Sequence, residues 1–392
     1  MSEPWGDIPL FREIQRILAS SKGPVNVEMA TQVGTALATQ EGDAAPDPAR
    51  AHALAESVRA AEQVLAGYTR LPVDEPATVR TVGRAEWTKA TLGAWGWLFD
   101  HVAEKLSGGL KSGFEEPSGA APGEPESSEA EGSFGLAAAM GQVAPLLVGI
   151  QVGTLVGRLA RDVLGRYDHP IPREDDGRLL FVDPNIARLA LEYDLAEDTF
   201  VRWLGLDGAA RHLVLTQAPW FNRYWRSLVV EVVDAMEIDV GELQARMMDL
   251  QSQGPAALEE GVGAGAALPL VPTDRHQRAL ARLRSFLAAV EGYARHATAA
   301  VAGTVVGDVT QIEEGVARHR LTENEADAML KTILGVSFDR DLEAAGATFC
   351  AAVVKLKGIA ALNTLWAAPD NLPSYDEIKD PFAWMERVLE DS

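Results

Sequence analysis

The sequence predicts a mainly α-helical fold with at most a small β element. Of its 392 residues, 47% are hydrophobic and 23% are charged, which is the balance of a chain that buries a sizeable core. Helix-forming residues fill long segments in which apolar side chains recur every three or four positions, as they do on one face of a helix. None of these segments alternates apolar and polar residues as a half-buried strand does.

The predicted helices follow this spacing along the chain. The segments that carry it are 47–68, 84–106, 203–215, 277–304 and 342–365. The segment "GRLLFVDPNI" at 177–186 predicts a short strand or a hairpin, because its apolar run "LLFV" is bounded by turn-forming residues.

A long apolar segment, 134–160, contains no charged residue before Arg158. It is long enough to cross a bilayer, but two glutamines and a proline interrupt it and no basic clusters flank it. Gly149, Gly153 and Gly157 recur every four residues, a spacing that lets another backbone approach closely. We therefore expect a buried central helix rather than a membrane span.

Two polar stretches interrupt the helical pattern. Residues 107–133 are rich in Gly, Ser, Pro and Glu and predict a flexible acidic insertion, and residues 251–272 predict a second flexible loop. The apolar segment that follows the first insertion has no evident place to bury itself except against the helices before it. We therefore expect one α-helical domain over residues 1–392.

Charge and cysteine content limit the partners and the compartment. The chain has 35 Lys and Arg against 57 Asp and Glu, a formal net charge of −22 that repels nucleic acid and anionic membranes. Cys350 is the single cysteine, so no intrachain disulfide can form. The N-terminus lacks the basic region and unbroken apolar run of a secretory signal. These features predict a cytoplasmic protein that does not bind nucleic acid.

No local motif for catalysis or metal binding occurs in the sequence. The pattern His-Glu-x-x-His, which places two imidazoles and a general base on one helix face, is absent, and no two of the seven histidines are three to five residues apart. Neither a "GxSxG" elbow nor a phosphate-binding glycine loop is present. From the residues alone we assign no catalytic residue and no metal ligand.

Several short segments nevertheless resemble a known family by their order. They are "VLGRYDHPIP" at 163–172, "LLFVDPNIARLA" at 179–190, "APWFNRYWRSLV" at 218–229, "VEGYARH" at 290–296 and "LWAAPDNLPSYDEIKDPFAWMERV" at 365–388. In this order they resemble the zincin-like metallopeptidase type 2 family of actinobacteria and relatives. Its members are described as zinc-dependent hydrolases or as proteins associated with the biosynthesis of a deazaflavin coenzyme. The resemblance covers nearly the whole chain apart from the two insertions, and it implies a zincin-like helical domain.

The resemblance also implies that the zinc centre of the family has been lost from this chain. In the family, one helix reads like Trp-x-x-Leu-His-Glu-x-x-His. Aligning Trp203 and Leu206 with its Trp and Leu places Asp207 at the first His, Gly208 at the Glu and Arg211 at the second His. Every position of the motif therefore departs from the pattern, and we expect no zinc in this protein.

One residue of this chain, Glu291, resembles a carboxylate of the family's zinc centre. Glu291 lies in a segment that resembles the family's downstream helix and corresponds there to the third metal ligand. Asp207 and Arg211 are four residues apart in the acid-before-base order, so they can pair on one helix face, and Glu291 could join Arg211 from a neighbouring helix. We therefore expect a guanidinium where the metal would lie, unless this helix face is exposed and the charges are only hydrated.

Further residues could line a ligand cleft near these positions. They are His212, Trp220, Tyr293 and His296. The aromatic residues around Trp220 are more typical of a core than of a ligand box, although a cleft lined by rings could bind a peptide or an apolar group.

The sequence thus supports three alternative functions. The first is a non-catalytic family member that binds a protein, a peptide or a small molecule. The second is a metal-dependent hydrolase with a rearranged site that uses Glu291 with His212 or His296. The third is a structural or assembly protein. Metal content separates the second from the other two, and an open cleft near Trp220 and Glu291 would favour binding over a structural role.

Overall fold

The computed structural model describes most of the chain between residues 23 and 390. The described residues are 23–74, 76–114, 129–169, 171–174, 177–239, 241, 242, 245, 270, 271, 273–321, 328 and 340–390. Within them the fold is mainly α-helical, as the sequence predicts.

The elements follow one another in this order. The helices are α1 Val27–Ala38, α2 Pro48–Thr69, α3 Arg84–Ala94, α4 Gly96–Phe114, α5 Glu129–Leu159, α6 Asp183–Glu192, α7 Glu197–Thr216, α8 Phe221–Asp234, α9 Asp274–Val305, α10 Thr310–Leu321, α11 Arg340–Lys357, α12 Ile359–Leu362, α13 Tyr375–Lys379 and α14 Pro381–Met385. The strands are β1 Val79–Val82, β2 Leu179–Val182, β3 Glu237–Ile238 and β4 Leu270–Val271. Short 3₁₀ turns occupy Asn363–Trp366 and Pro369–Asn371, and a π-helical turn occupies Glu386–Glu390.

Local signals explain several helix ends. Asp47 caps α2 by accepting a hydrogen bond from the backbone N–H of Ala49, and Pro48 takes the first helical position. The helix predicted for 84–106 is instead two helices that meet at Trp95, whose side chain is buried at this corner. The helix predicted for 342–365 stops at Lys357, because Gly358 adopts a positive φ of 84° that ends the helical hydrogen bonding.

Of the strand or hairpin predicted within 177–186, the structure has the strand, which is β2 at Leu179–Val182. Its partner β1 runs parallel to it, with Val79 opposite Leu179 and Val82 opposite Val182. All four residues of β2 are buried, which agrees with their uniformly apolar sequence. The sequence analysis missed β1, because four residues that include a charged Arg80 give too little pattern to identify a strand.

The apolar segment 134–160 lies within α5 and the start of the turn after it, and α5 packs closely on α1. A Cβ at Gly149, Gly153 or Gly157 would approach backbone oxygens of the α1 segment to between 2.4 and 2.5 Å, which is far inside a normal contact. The glycine spacing therefore predicts this close crossing correctly. The helix is not buried on every side, since Leu147 is 42% exposed. None of the described helices is long and apolar enough to cross a membrane.

The two predicted insertions fall largely outside the described residues. Helix α4 continues to Phe114 and α5 begins at Glu129, so both ends of the predicted insertion 107–133 are helical. Of the segment 251–272, only residues 270 and 271 are described, and they form β4.

Helices α2, α7 and α9 pack on one another and form the part of the core that carries the charged site described below. Gly205 on α7 allows a close approach to α2, because a Cβ there would lie 2.6 Å from Cβ of Ser57. On its other side α9 packs against α11, where Gly346 comes directly against the backbone of Ala288. These close contacts fix the relative positions of the helices that bear the site.

Candidate functional site

Helix α7 is largely buried, and it carries charged residues of the site. Acidic residues in its first turn, Glu197 and Asp198, favour the helix through its dipole, and its apolar side chains pack into the core along most of its length. Arg211 and His212 are also buried on this helix. Charged and imidazole side chains in such a place require partners.

Arg211 is the centre of an ion trio formed with Asp207 and Glu291. Its Nη1 donates to a carboxylate oxygen of Asp207 one turn earlier on α7, and its Nε donates to Oε2 of Glu291 on α9 over 2.9 Å. The side chain of Arg211 is 5% exposed, that of Asp207 18% and that of Glu291 13%. The structure thus brings together the three residues that the spacing and the resemblance single out.

The trio keeps Arg211 positively charged. Burial alone would lower the pKa of Arg211, but the charges of Asp207, Glu291 and Asp168 outweigh burial and raise the pKa further above its usual range. The guanidinium is therefore a permanent cation that links α7 to α9.

A segment of irregular chain, residues 164–168, lies beside the trio; we refer to it as the wall segment. The backbone N–H of Val182 donates to the carbonyl of Leu164 over 2.9 Å, and Gly165 makes an antiparallel bridge with Phe181. Asp168 accepts from the backbone N–H groups of both Leu164 and Gly165, the latter over 3.0 Å. The wall segment is therefore held against β2 on the side away from β1.

A side-chain contact also ties the wall segment to α7. The hydroxyl of Tyr167 lies 3.2 Å from Nδ1 of His212, the residue that follows Arg211. Arg166 donates to the carbonyl of Arg178 over 3.2 Å, and its guanidinium lies over the ring of Tyr167. These contacts hold the wall segment beside α7.

A narrow cleft lies between the wall segment, β2 and α7. Its cavity volume is about 20 Å³, which is room for about one water molecule. Apolar side chains such as Leu179, Phe181 and Leu204 line one part, and Asp168, Asp207 and Arg211 line the polar part. Glu291 contacts Arg211 from outside this lining.

Gly208 faces Phe181 across the cleft. A Cβ placed on Gly208 would lie 3.1 Å from Cζ of Phe181, which is tighter than an ordinary contact. A longer side chain at this position, such as a glutamate, would have to displace the phenylalanine ring.

The four residues predicted to line a ligand cleft have other surroundings. His212 is bound by Tyr167, and Trp220 packs on the rings of Phe221 and Tyr224 at centroid distances of 5.3 and 5.7 Å. None of the four is in the lining of the cleft beside Arg211. The cleft beside Arg211 is therefore lined by residues other than these four.

The remaining two of these residues form polar contacts at the end of α2. Tyr293 is fully buried and donates to Oδ1 of Asn363 over 2.7 Å, and burial raises the pKa of its hydroxyl. Nε2 of His296 lies 2.8 Å from the hydroxyl of Tyr68, and burial lowers the pKa of this imidazole. Both arrangements are typical of satisfied core residues.

Across the described part of the chain, no three His, Cys, Asp or Glu side chains come together in a way that could hold a metal ion. Glu291, His212 and His296 each have a different partner. The arrangement beside Arg211 can therefore hold a charged or polar group by ion pairing, with apolar walls beside it.

Sequence reasoning missed two contributors to this site. Asp168 and Phe181 belong to segments that carried the family resemblance, but neither has a local signal that relates it to Arg211. Phe181 has the pattern of an ordinary strand residue, and Asp168 is 43 positions from Arg211 in the sequence. Only the tertiary fold brings these two residues beside the trio.

Comparison with known proteins gives two matches. A family model described as zincin-like metallopeptidase matches residues 25–385. A crystal structure of "a putative hydrolase with a novel fold" from Chloroflexus aurantiacus is similar, with a TM-score of 0.60 and 23% sequence identity over 93% of this chain and 98% of that one. At this identity the similarity establishes the fold alone. A comparison with curated proteins found no match.

Proposed function

Since the chain belongs to the zincin-like metallopeptidase family, we propose that it is a non-catalytic member, in which the ion trio replaces the zinc centre and which acts by binding a peptide, a protein or a small molecule. The observation that carries this proposal is the buried guanidinium of Arg211 between the carboxylates of Asp207 and Glu291. Asp207, which is 18% exposed, lines a small cleft beside Arg211, so a polar group of a partner can reach the trio there.

The residues around Arg211 do not fit a zinc ion. Catalytic zinc in proteins is held by three neutral or anionic ligands, most often two imidazoles and one further group. Here the carboxylates of Asp207 and Glu291 are both engaged by Arg211, whose positive charge would repel a divalent cation at the same place. A cation is already part of the protein at this position.

The residue at the family's general-base position cannot act as a base. In the register of the family motif, the activating glutamate corresponds to Gly208, which has no side chain and faces Phe181. Without a base beside the position of a metal, activation of water for hydrolysis has no group to carry it.

Metal content is the test of this proposal. We expect untagged, zinc-supplemented protein to contain far less than one equivalent of zinc by plasma mass spectrometry, and its thermal melt to be unchanged by a chelator. Zinc near one equivalent with a melt that the chelator lowers would refute the proposal and favour a metal-dependent hydrolase with a rearranged site.

A matched variant tests whether Arg211 occupies the position of the metal. Replacing both Asp207 and Arg211 by histidine places two imidazoles one helical turn apart, facing Glu291, which is a ligand set that suits zinc. We expect this double variant to bind zinc where the native protein does not. A folded double variant that binds no zinc would show that the trio is not at the metal position.

A further inference from the structure

One turn of α5, residues 144–148, is apolar and largely uncovered. Its sequence is "APLLV", and none of the five residues is buried; Leu147 is 42% exposed. A helix completes a turn in about 3.6 residues, so a run of five unburied residues leaves every face of α5 partly open here. Val27, in the first turn of α1, is a further exposed apolar residue at 56%. We refer to residues 144–148 and Val27 as the apolar patch.

The direction of α1 shows where the chain before it lies. A Cβ on Gly149 would meet Asn26 and one on Gly157 would meet Gly34, so α1 and α5 run in the same direction. The backbone N–H of Asn26 donates to the carbonyl of Pro145 over 2.9 Å. The chain that precedes α1 therefore joins the described fold beside the apolar patch, at the end where α5 extends beyond α1.

The sequence before residue 23 has a pattern that suits this patch. Residues 10–18, "LFREIQRIL", have apolar side chains at positions 10, 11, 14, 17 and 18, which is the spacing of one helix face. Only four residues separate this run from residue 23, and so short a tether gives the run a high effective concentration at the patch. Residues 10–22 also contain three basic residues and one acidic residue, in a chain whose net charge is −22. This local positive charge favours contact with the rest of the protein.

We propose that the apolar patch is the docking face for residues 10–18 of the same chain, which cover it as an amphipathic helix. The apolar side chains of this run lie against Leu147 and Val27, and its charged side chains remain in water. Nine residues are too few for a stable isolated helix, so the run folds as it docks. The inference involves no residue of the cleft beside Arg211 and does not depend on the proposed function.

A second copy of the chain or a lipid surface could also cover an apolar patch. The net charge of −22 opposes both, because it repels an identical chain and an anionic membrane. Neither has the advantage of a short covalent tether. The chain's own segment is therefore the occupant that the structure and the sequence favour.

The reactivity of a thiol at position 147 in the full-length chain tests the inference. Leu147→Cys places the thiol on the patch, and Leu191→Cys places one on α6 at a leucine that is 85% exposed. The native Cys350 is fully buried, and the unsubstituted protein gives its background rate. We expect a maleimide to modify Leu147→Cys at least about tenfold more slowly than Leu191→Cys, because the docked segment opens only part of the time. Rates within about twofold of each other, as the two exposures alone would give, would overturn the inference.

Two substitutions in the segment provide a matched comparison. In the Leu147→Cys background, Ile14→Gln places an amide among the apolar side chains of the run, whereas Arg16→Gln places the same amide on its opposite face. We expect Ile14→Gln to raise the modification rate about tenfold, since burial of an unpaired amide opposes docking, and Arg16→Gln to change it by less than about twofold. Equal rates in the two variants would overturn the inference.

Protein concentration and added lipid distinguish the other occupants. Protection by the chain's own segment is independent of concentration, whereas protection by a second copy increases over about a hundredfold range of protein concentration. Protection that increases in this way, or that appears only with phosphatidylcholine vesicles, would overturn the inference and assign the patch to a dimer or to a lipid surface. Leu147 and Leu191 are both exposed, so neither cysteine substitution disturbs the core.

Discussion

At the scale of single residues, the molecule is distinguished by charged side chains buried with their partners. In the ion trio, Arg211 is 5% exposed and engages two carboxylates, so the charges are compensated in place. Removing one member of such a group leaves an unpaired charge in a poorly hydrated site, which is more costly than the pairing is favourable.

We therefore expect Arg211→Met to lower the free energy of unfolding by about 3 to 5 kcal/mol, because both Asp207 and Glu291 lose their counter-charge. Denaturant titration at neutral pH measures the change. The control is Arg318→Met, which removes an exposed ion pair of the same four-residue spacing with Glu314 and should change stability by about 0.5 kcal/mol or less. Similar small losses in both variants would mean that the trio is hydrated in solution.

A second residue-scale prediction concerns Glu62, whose side chain is buried and accepts from the backbone N–H of Ala77 over 2.7 Å. Burial raises the pKa of Glu62 in the folded protein above its unfolded value, against the effect of the hydrogen bond from Ala77. Its contribution to stability is thus fully present below the unfolded pKa and is lost as the pH rises through the folded pKa.

Glu62→Gln keeps an acceptor for Ala77 but cannot ionise. Relative to the native protein, the variant should become more stable as the pH rises from about 3.5 towards 7, and the difference should be smallest at the acidic end. Paired denaturant titrations across this range give the difference directly. A difference that does not change with pH would contradict the raised pKa.

The residues of the site were predictable to different degrees. The pairing of Asp207 with Arg211 follows from their spacing on one helix, whereas Glu291 was identified through the family resemblance. The wall segment and Phe181 could not be related to Arg211, because no periodicity links residues that only the tertiary fold brings together.

At the scale of elements, close helix crossings decide the geometry of the core. Helices α1 and α5 approach one another so closely that Gly153 has the backbone of Ala30 where a side chain would be. Such a contact forms only if the glycines lie on one face of the helix.

Adding a single methyl group at this crossing should therefore be destabilising. We expect Gly153→Ala to lower the free energy of unfolding by about 1 to 3 kcal/mol, since its Cβ would lie 2.4 Å from the carbonyl oxygen of Ala30. Gly303→Ala is the matched control, because nothing lies within 4 Å of its Cβ, and the better helix former should raise stability by about 0.5 to 1 kcal/mol. If both substitutions stabilised the protein, the crossing would be looser than described.

The elements were predicted well where the pattern was long and poorly where it was short. The apolar residues spaced three or four apart in 277–304 predicted α9 almost to its ends, and the glycine repeat predicted the close crossing of α5 with its neighbour. The break at Trp95 was missed, because helix propensity continues through it and the burial of the indole at the corner depends on tertiary packing.

At the scale of the whole molecule, the net charge of −22 opposes compaction. The charges of the ion trio are largely shielded from solvent, so added salt acts mainly on the exposed carboxylates elsewhere.

Raising sodium chloride from about 0.01 M to about 0.15 M should therefore increase the melting temperature, because the screening length shortens from about 30 Å to about 8 Å and repulsion among acidic side chains weakens. Differential scanning calorimetry measures the shift. Sodium sulfate at the same ionic strength is the comparison. Screening alone would raise the melting temperature equally in both salts, whereas exclusion of sulfate from the protein surface would raise it further in sodium sulfate. A lower melting temperature in sodium chloride would mean that exposed ion pairs outweigh the repulsion.

The buried guanidinium also constrains how this sequence can change over evolutionary time. If Arg211 is replaced first, the carboxylates of Asp207 and Glu291 lose their counter-charge. If Asp207 is replaced first, the guanidinium keeps only one of its two carboxylate partners. If a glutamate is placed at 208 first, its side chain meets the ring of Phe181. Each of these steps removes a sizeable part of the about 5 to 15 kcal/mol that keeps a typical domain folded. Each single substitution that moves this helix towards the His-Glu-x-x-His pattern is therefore expected to destabilise the fold unless a second substitution accompanies it.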